Sequence, residues 1–385
     1  MLVPARVQLL VAALVLAAPL AAAQTTFLSQ DEEVEFLPAD ARLDAGRDVW
    51  IVPVHVVVSE PEHDAAARQA LLRSLAGSLR LPTDSPQNLT FQQRARPFLA
   101  DHDSDMRLVV QVAGRTVRLD TTGADGHVHG TVEVPGAVVR TLPASEQEWL
   151  PITLLLPPGD RRAYSGWARL LPAEGLSVIS DLGDTALLAD VKDRKRLITR
   201  IFLEPLAPVP DMAPLYARCA AEGADFHYIS SGPWQLHAAL TAFLQQAGFP
   251  RGPLLLRELR AKETEPFLWF DDEPGLKRTS IAAIAEGWPE RRLILVGDSG
   301  DLDPELYGEA ARRWPDRIER ILIRDVTGDD RDAPRYQAAF RDVPPERWSL
   351  FKLAKQLDSL RLPPPEPVPA SRAEPERRGA VPPLR

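Results

Sequence analysis

Asp298, Asp301 and Asp303 crowd one short loop, directly after the apolar run Leu293-Ile294-Leu295-Val296. A short aliphatic run reads as a buried strand, and Gly297 and Gly300 read as the loop at its carboxyl end. Ligands of open α/β sheets bind at that end. Clustered carboxylates there suit a hard divalent cation such as Mg²⁺. Alone, the loop reads as a solvated acidic turn. The stronger reading needs a second strand end with a matching carboxylate. Asp181 and Asp184 provide it, in Ser180-Asp181-Leu182-Gly183-Asp184-Thr185 after the strand-like residues 176–179. A third strand end carries Ser230-Ser231-Gly232-Pro233-Trp234, and Lys277 sits just before a helical stretch at Ser280.

This set has a logic for phosphoryl transfer. A carboxylate can attack phosphorus and form an aspartyl phosphate, splitting hydrolysis into two steps. A hydroxyl and backbone N–H groups at a helix N-terminus can hold phosphate oxygens. Lys277 would neutralise charge on the transferring group. A divalent cation lets an anionic nucleophile approach an anionic phosphate.

The elements that must position these residues follow from periodicity. Short strands near 176–179, 226–229, 254–256, 293–296 and 321–323 alternate with helices near 212–221, 234–247, 280–286 and 304–314. Within 234–247, Leu236, Leu240, Phe243 and Leu244 share one helical face. Such alternation predicts an α/β fold with a doubly wound parallel sheet over residues 173–362. Residues 24–172 read differently. β-Branched runs at 50–58, 106–112, 116–119 and 127–134, punctuated by Gly114, Gly123, Gly126 and Gly136, predict a β-rich antiparallel sandwich or small barrel, with a helix inserted at 65–79. The proline-rich residues 363–385 lack the apolar groups to offset ordering entropy and are expected to be disordered.

The chain of 385 residues has room for about two domains. Its net charge of −9 argues against nucleic acid as a partner. Arg6, the apolar stretch 9–20 and Ala21-Ala22-Ala23 form a secretory signal-peptide pattern over residues 1–23, cut after Ala23. A periplasmic or secreted location is therefore expected. Cys219 is the single cysteine, which excludes an intrachain disulfide and a multi-cysteine metal site.

The strand-end segments resemble the motifs of the haloacid dehalogenase phosphohydrolase superfamily. More narrowly, residues 173–327 resemble the catalytic domain of the actin-patch-associated phosphatidate phosphatase family. The resemblance rests on residues 178–185, on Met212-Ala213-Pro214-Leu215-Tyr216, on residues 226–234 and on Gly252-Pro253-Leu254-Leu255-Leu256-Arg257. It continues through Gly297-Asp298-Ser299-Gly300, Asp303-Pro304-Glu305-Leu306-Tyr307 and Ile323-Arg324-Asp325-Val326. It implies that Asp181 is the nucleophile and a Mg²⁺ ligand. By the same resemblance Ser230, with Ser231 beside it, binds phosphate. Lys277 stabilises the aspartyl phosphate, and Asp298 completes the metal site with Asp303 and the Gly183 carbonyl. Arg257 faces either the substrate or a structural ion pair. The implied substrate is a phosphorylated small molecule or a phosphatidate-like lipid, and a lipid would bring peripheral membrane contact with it.

One position departs from the family text. The residue two after the nucleophile is usually a second Asp, the general acid and base, and this chain has Gly183. A positioned acid or base contributes about 10²–10⁴-fold. Three outcomes are open. Asp184 or a neighbour substitutes, hydrolysis stalls at the aspartyl phosphate, or the domain binds a phosphorylated ligand without turnover.

Weaker signals have plain readings. Ser299 lacks the glycine two residues on that a serine-hydrolase elbow needs. Asp101, Asp103 and Asp105 begin like a calcium loop, but Val112 occupies its acidic twelfth position. His127 and His129 share one strand face but lack a third ligand, so a solvated β-face is expected. The basic run Lys192, Arg194, Lys195, Arg196 and Arg200 is either a solvated helix face or a draw for an anionic head group.

Overall fold

The computed structural model describes residues 25–258, 267, 269 and 274–359. The signal-peptide and proline-rich-tail readings fall outside the described residues. Nine strands make up the first unit: β1 (Glu33–Leu37), β2 (Ala39–Asp44), β3 (Val49–Glu60), β4 (Asp101–His102), β5 (Arg107–Val112), β6 (Arg115–Thr121), β7 (His127–Pro135), β8 (Trp149–Leu154) and β9 (Ser165–Leu170). They pair in the order β1-β3-β2-β9-β8-β5-β6, with β4 and β7 also on β3. Alternation along β3 buries Val52, Val54, Val56 and Val58 against Leu108, Val110 and Val112 of β5. One pairing departs from the antiparallel expectation: β2 and β9 run parallel. Their connection spans most of the unit, a separation that local strand patterns do not encode.

Helices Ala65–Ser78 and Leu89–Ala95, inserted between β3 and β4, do not join that core. Their Leu72, Leu75, Leu79 and Phe91 belong to the same cluster as Leu197, Phe202 and Phe226. Phe91 and Phe202 are fully buried with ring centroids 5.9 Å apart. Truncating either to Ala would cost about 3–5 kcal/mol. Arg94 donates to the carbonyls of Arg200, Ile201 and Glu204, satisfying the open C-terminal end of helix Arg194–Leu203.

The second unit is a six-stranded, wholly parallel sheet: β10 (Gly175–Asp181), β11 (Ala224–Pro233), β12 (Leu254–Arg257), β13 (Arg291–Asp298), β14 (Ile318–Arg324) and β15 (Trp348–Phe351). Its order is β12-β11-β10-β13-β14-β15. Parallel strands covered on both faces read as continuous apolar runs, and side chains alternate between two cores. Val178 of β10, Ile294 and Val296 of β13 and Leu322 of β14 enter one core. Ile179, Leu293, Leu295, Ile321 and Ile323 enter the other. The chain winds outward from β10 through β11 to β12, then returns to β13 and winds the other way. The direction changes between β10 and β13, and a ligand crevice forms at such a switch point, outside the carboxyl ends.

Candidate active site

Asp181 is the last residue of β10 and Asp298 the last of β13. The two strands are hydrogen-bonded neighbours in register through Ser180 and Val296. Both aspartates therefore meet at the switch point, and both are buried. Lys277 reaches them from helix Pro274–Gly287. The helix starts earlier than the apolar pattern suggested, so Lys277 lies inside its first turn rather than ahead of it. Its Nζ stands 2.9 Å from Asp181 Oδ1, 2.6 Å from Asp303 Oδ1 and 3.4 Å from Asp301 Oδ2. Burial would lower the Lys277 ammonium, but Asp181, Asp303 and Asp301 outweigh it and hold the group charged.

Asp303 occupies a different place from the ligand position expected of it. One oxygen is held by Lys277 and the other accepts the Asp298 N–H at 3.0 Å. It positions the lysine and the β13 loop. Gly297 makes room for this, because a Cβ there would lie 2.2 Å from Asp303 Oδ2. The third carboxylate beside Asp181 and Asp298 is Asp301. The ligand oxygens of these three lie within 4.8 Å of one another.

This donor set fits a hard divalent cation. Asp298 Oδ1 accepts the Gly300 N–H at 2.6 Å, while Asp298 Oδ2 and Asp181 Oδ2 are buried with no hydrogen-bond partner. An orphaned buried carboxylate oxygen is costly. Its effect shows in the acidities. Burial pushes the Asp181 carboxyl well above the usual range, and Asp303 and Asp301 add to it against Lys277. Burial also raises Asp298, with Asp303 and Asp181 pushing the same way. Asp303 rises to about 6, chiefly through burial against the pull of Lys277. A bound cation would oppose all three shifts by stabilising the ionised carboxylates.

Ser230 and Ser231 sit near the end of β11, which runs on to Pro233 rather than stopping before them. They line one cavity of about 160 Å³ with Asp181, Gly183, Gly232, Arg194 and Asp301. Ser230 Oγ accepts the Gly232 N–H at 3.2 Å. Two expectations do not reach this cavity. The Asp184 carboxylate accepts the N–H groups of Ala189, Asp190 and Val191 at 3.0, 3.1 and 2.7 Å. It holds the loop and does not line the cavity. Arg257 donates to the Trp269 carbonyl at 2.6 Å. The basic run divides: Arg196 and Arg200 pair with Asp190 and Glu204, whereas Arg194 lines the cavity.

Gly183 lines the cavity where the acid was expected. A Cβ at this position would lie 2.9 Å from Val191 Cγ1. A side chain there would require Val191 to shift.

Two arginines were not legible as site residues. Arg335, in helix Pro334–Ala339, pairs with Glu305 at 2.7 Å and donates to the carbonyls of Ser299 and Asp301, clamping the acidic loop. No motif marks it. Arg324, at the end of β14, donates to the Asp184 carbonyl at 2.6 Å and ties the β10 loop to its neighbour. Its position in Ile323-Arg324-Asp325-Val326 was the available signal.

Residues 176–325 match the family model described as phosphatidate phosphatase APP1, catalytic domain. This segment is similar to the APP1 catalytic-domain family. Within the chain the match runs from the first residues of β10 to just past β14, so it contains Asp181, Ser230, Lys277 and Asp298. The phosphatidate phosphatase APP1 of Saccharomyces cerevisiae is 31% identical over 166 residues, which are 42% of this chain and 28% of that protein. An uncharacterized protein of Schizosaccharomyces pombe is 29% identical over 175 residues, 44% of this chain and 28% of that one. The matched stretch thus spans little more than a quarter of either curated relative. An unliganded probable phosphoserine phosphatase from Vibrio cholerae shows 11% identity and a TM-score of 0.26, over 60% of this chain and 73% of that one. That likeness is too loose to bear on fold or chemistry.

Proposed function

We propose that the APP1-type segment is a Mg²⁺-dependent phosphomonoesterase of the haloacid dehalogenase type, acting on a phosphatidate-like lipid or another phosphorylated molecule with an apolar body. The observation that carries this is the pair of buried, unpartnered oxygens, Asp181 Oδ2 and Asp298 Oδ2, at the switch point beside Lys277. Asp181, Asp298 and Asp301 would hold the cation, with the Gly183 carbonyl as a further donor. The cation would screen charge between the nucleophile and the phosphate.

The remaining steps belong to this chain's side chains. Asp181 attacks phosphorus, and the P–O bond to the leaving group breaks, leaving an aspartyl phosphate. Lys277, 2.9 Å from Asp181, favours its ionised form against burial and neutralises charge on the phosphoryl group. Ser230, Ser231 and the backbone N–H groups beside them orient its oxygens. Water then attacks the aspartyl phosphate, releasing phosphate and restoring Asp181. The apolar wall of Leu187, Val191, Leu197, Ile201, Leu236 and Leu240 suits an acyl chain or similar body. Arg194 on the same wall suits its anionic end. The reading extends to an exported protein that meets its lipid at a membrane surface. Among the described residues no helix is long and apolar enough to cross one.

A second reading has its own observation. With Gly183 in place of an acid and Asp184 committed to the loop, no group on β10's loop is set to move the proton. The domain is then a binder of phosphorylated ligands, or stalls at the aspartyl phosphate. The deciding assay measures phosphate release from phosphatidate in mixed micelles and from an aryl phosphate, with Mg²⁺ or chelator. Metal-dependent release that falls to background in Asp181→Asn is expected. Equal release by both proteins would overturn the enzyme reading. A hydroxylamine-sensitive phosphoryl group on Asp181 without release would identify the stall.

A further inference from the structure

The first unit carries a second cluster of ligating side chains that the phosphatase reading leaves unused. His127 and His129 lie on β7, two residues apart on one face. The antiparallel pairing of β3 with β7 sets His55 directly opposite His129 and diagonal to His127. Glu258 follows β12 from the second unit and closes the group. His55 Nε2 stands 2.8 Å from His127 Nδ1 and 3.7 Å from Glu258 Oε1. His129 Nε2 stands 3.6 Å from the same Glu258 oxygen. The four ligand atoms lie within 4.8 Å of one another. His129 is exposed, as expected of a solvated β-face, whereas His127 is buried, with Trp234 edge-on to its ring at 5.0 Å.

We propose that His55, His127, His129 and Glu258 form a structural site for a borderline divalent metal, Zn²⁺ above all. Three imidazoles and one carboxylate suit Zn²⁺ rather than Mg²⁺, which prefers oxygen ligands and retained water. Tetrahedral zinc with bonds of about 2.0–2.1 Å places its ligands about 3.3–3.4 Å apart, and the separations of 2.8, 3.6 and 3.7 Å straddle that value. Four protein ligands leave no open position, which makes the site structural. Burial, with His129 and His127 nearby, lowers His55 to about 3. The ring is therefore neutral near pH 7, the form that ligates. A metal here would pin Glu258, and with it the start of the connection from β12 to the Lys277 helix, onto β3 and β7.

The test uses the full chain, stripped with chelator and titrated with Zn²⁺ alone by calorimetry, then with Co²⁺ to read its visible ligand-field bands. The background is Asp181→Asn, which removes one of the strand-end carboxylates, so that the outcome does not depend on phosphatase activity. One Zn²⁺ per chain and a four-coordinate Co²⁺ spectrum are expected in wild type and in that variant. His129→Ala and Glu258→Gln change exposed side chains and should fold. Each should weaken Zn²⁺ by at least about 10–100-fold, the loss seen when even an outer-shell partner of a metal is removed. Absence of Zn²⁺ uptake, or uptake unchanged in the His129→Ala/Glu258→Gln double variant, would overturn the proposal.

Discussion

Two buried charged clusters occupy opposite ends of the same pair of strands, and they are built on opposite terms. At the amino end of β10 and β13, Arg169 donates to Asp40 at 2.6 Å, and His227 contacts Asp40 at 2.9 Å and Ser177 at 3.0 Å. Arg291 holds Ser177 at 2.8 Å, Asp225 at 2.5 Å and the carbonyls of Pro172, Glu174 and Leu176. Burial alone would raise Asp40, but Arg169 and His227 outweigh it, and its carboxyl falls to about 2. At the carboxyl end, Lys277 contacts Asp181, Asp301 and Asp303, one oxygen each of Asp181 and Asp298 has no partner, and these two carboxyls are pushed well above the usual range. The first cluster is saturated and joins the two units. The second has a surplus of negative charge that only a ligand can answer. Burial is common to both, so burial does not separate a structural network from a site; the balance of partners does.

That contrast can be broken at either end. Arg169→Ala should cost about 3–5 kcal/mol in denaturant unfolding, because it strands Asp40 in a dry interface. A loss below about 1 kcal/mol would show that water already serves Asp40. At the site, Gly183→Asp in a Val191→Ala background should raise turnover of an alkyl phosphate about 10²-fold or more, and an aryl phosphate less. Gly183→Asp alone should gain little, because its Cβ meets Val191. Equal rates in the double variant and wild type would show that the missing acid is not what limits release.

Smaller effects sharpen the same comparison. Mg²⁺ at about 100 times its Kd should stabilise the wild-type chain by about 2.7 kcal/mol. Asp298→Asn should abolish that gain, yet unfold no more easily than wild type in chelator, since it removes an uncompensated charge. A less stable Asp298→Asn in chelator would mean that the charge is already satisfied. The smallest effect is on acid stability. The folded Asp40 value lies below the ordinary 3.8 of an aspartate, so its contribution is present above about pH 4 and lost as pH falls through about 2. The shift is worth roughly 2 kcal/mol, and Asp40→Asn should flatten this limb of a stability–pH curve.

The parallel sheet was legible because its strands are short apolar runs broken by glycine and serine, and helices of the right length fall between them. Asp181, Ser230 and Asp298 were legible because each follows such a run directly. Lys277 was found by type and order, though its helix begins earlier. The inserted helices were visible as helices, but not as part of the second unit's core. An amphipathic pattern shows that a face will be buried and not which neighbour buries it.

Sequence by itself placed Asp181 and Asp298 at the carboxyl ends of two strands, though not the residue at which each strand stops, and hence at one end of a parallel sheet. Local hydrogen-bond periodicity and strand polarity suffice for that. Only tertiary structure decided the division of labour among the remaining carboxylates. Asp303 is spent on Lys277 and the Asp298 N–H, Asp184 on residues 189–191, and Asp301 is left beside the two strand ends. Likewise only the β3–β7 pairing and the end of β12 bring His55 and Glu258 to His127 and His129. The reason is physical: an aspartate has the same charge and reach wherever it stands in a chain. Its role depends on how many donors the fold aims at it, and those donors come from residues far away in sequence.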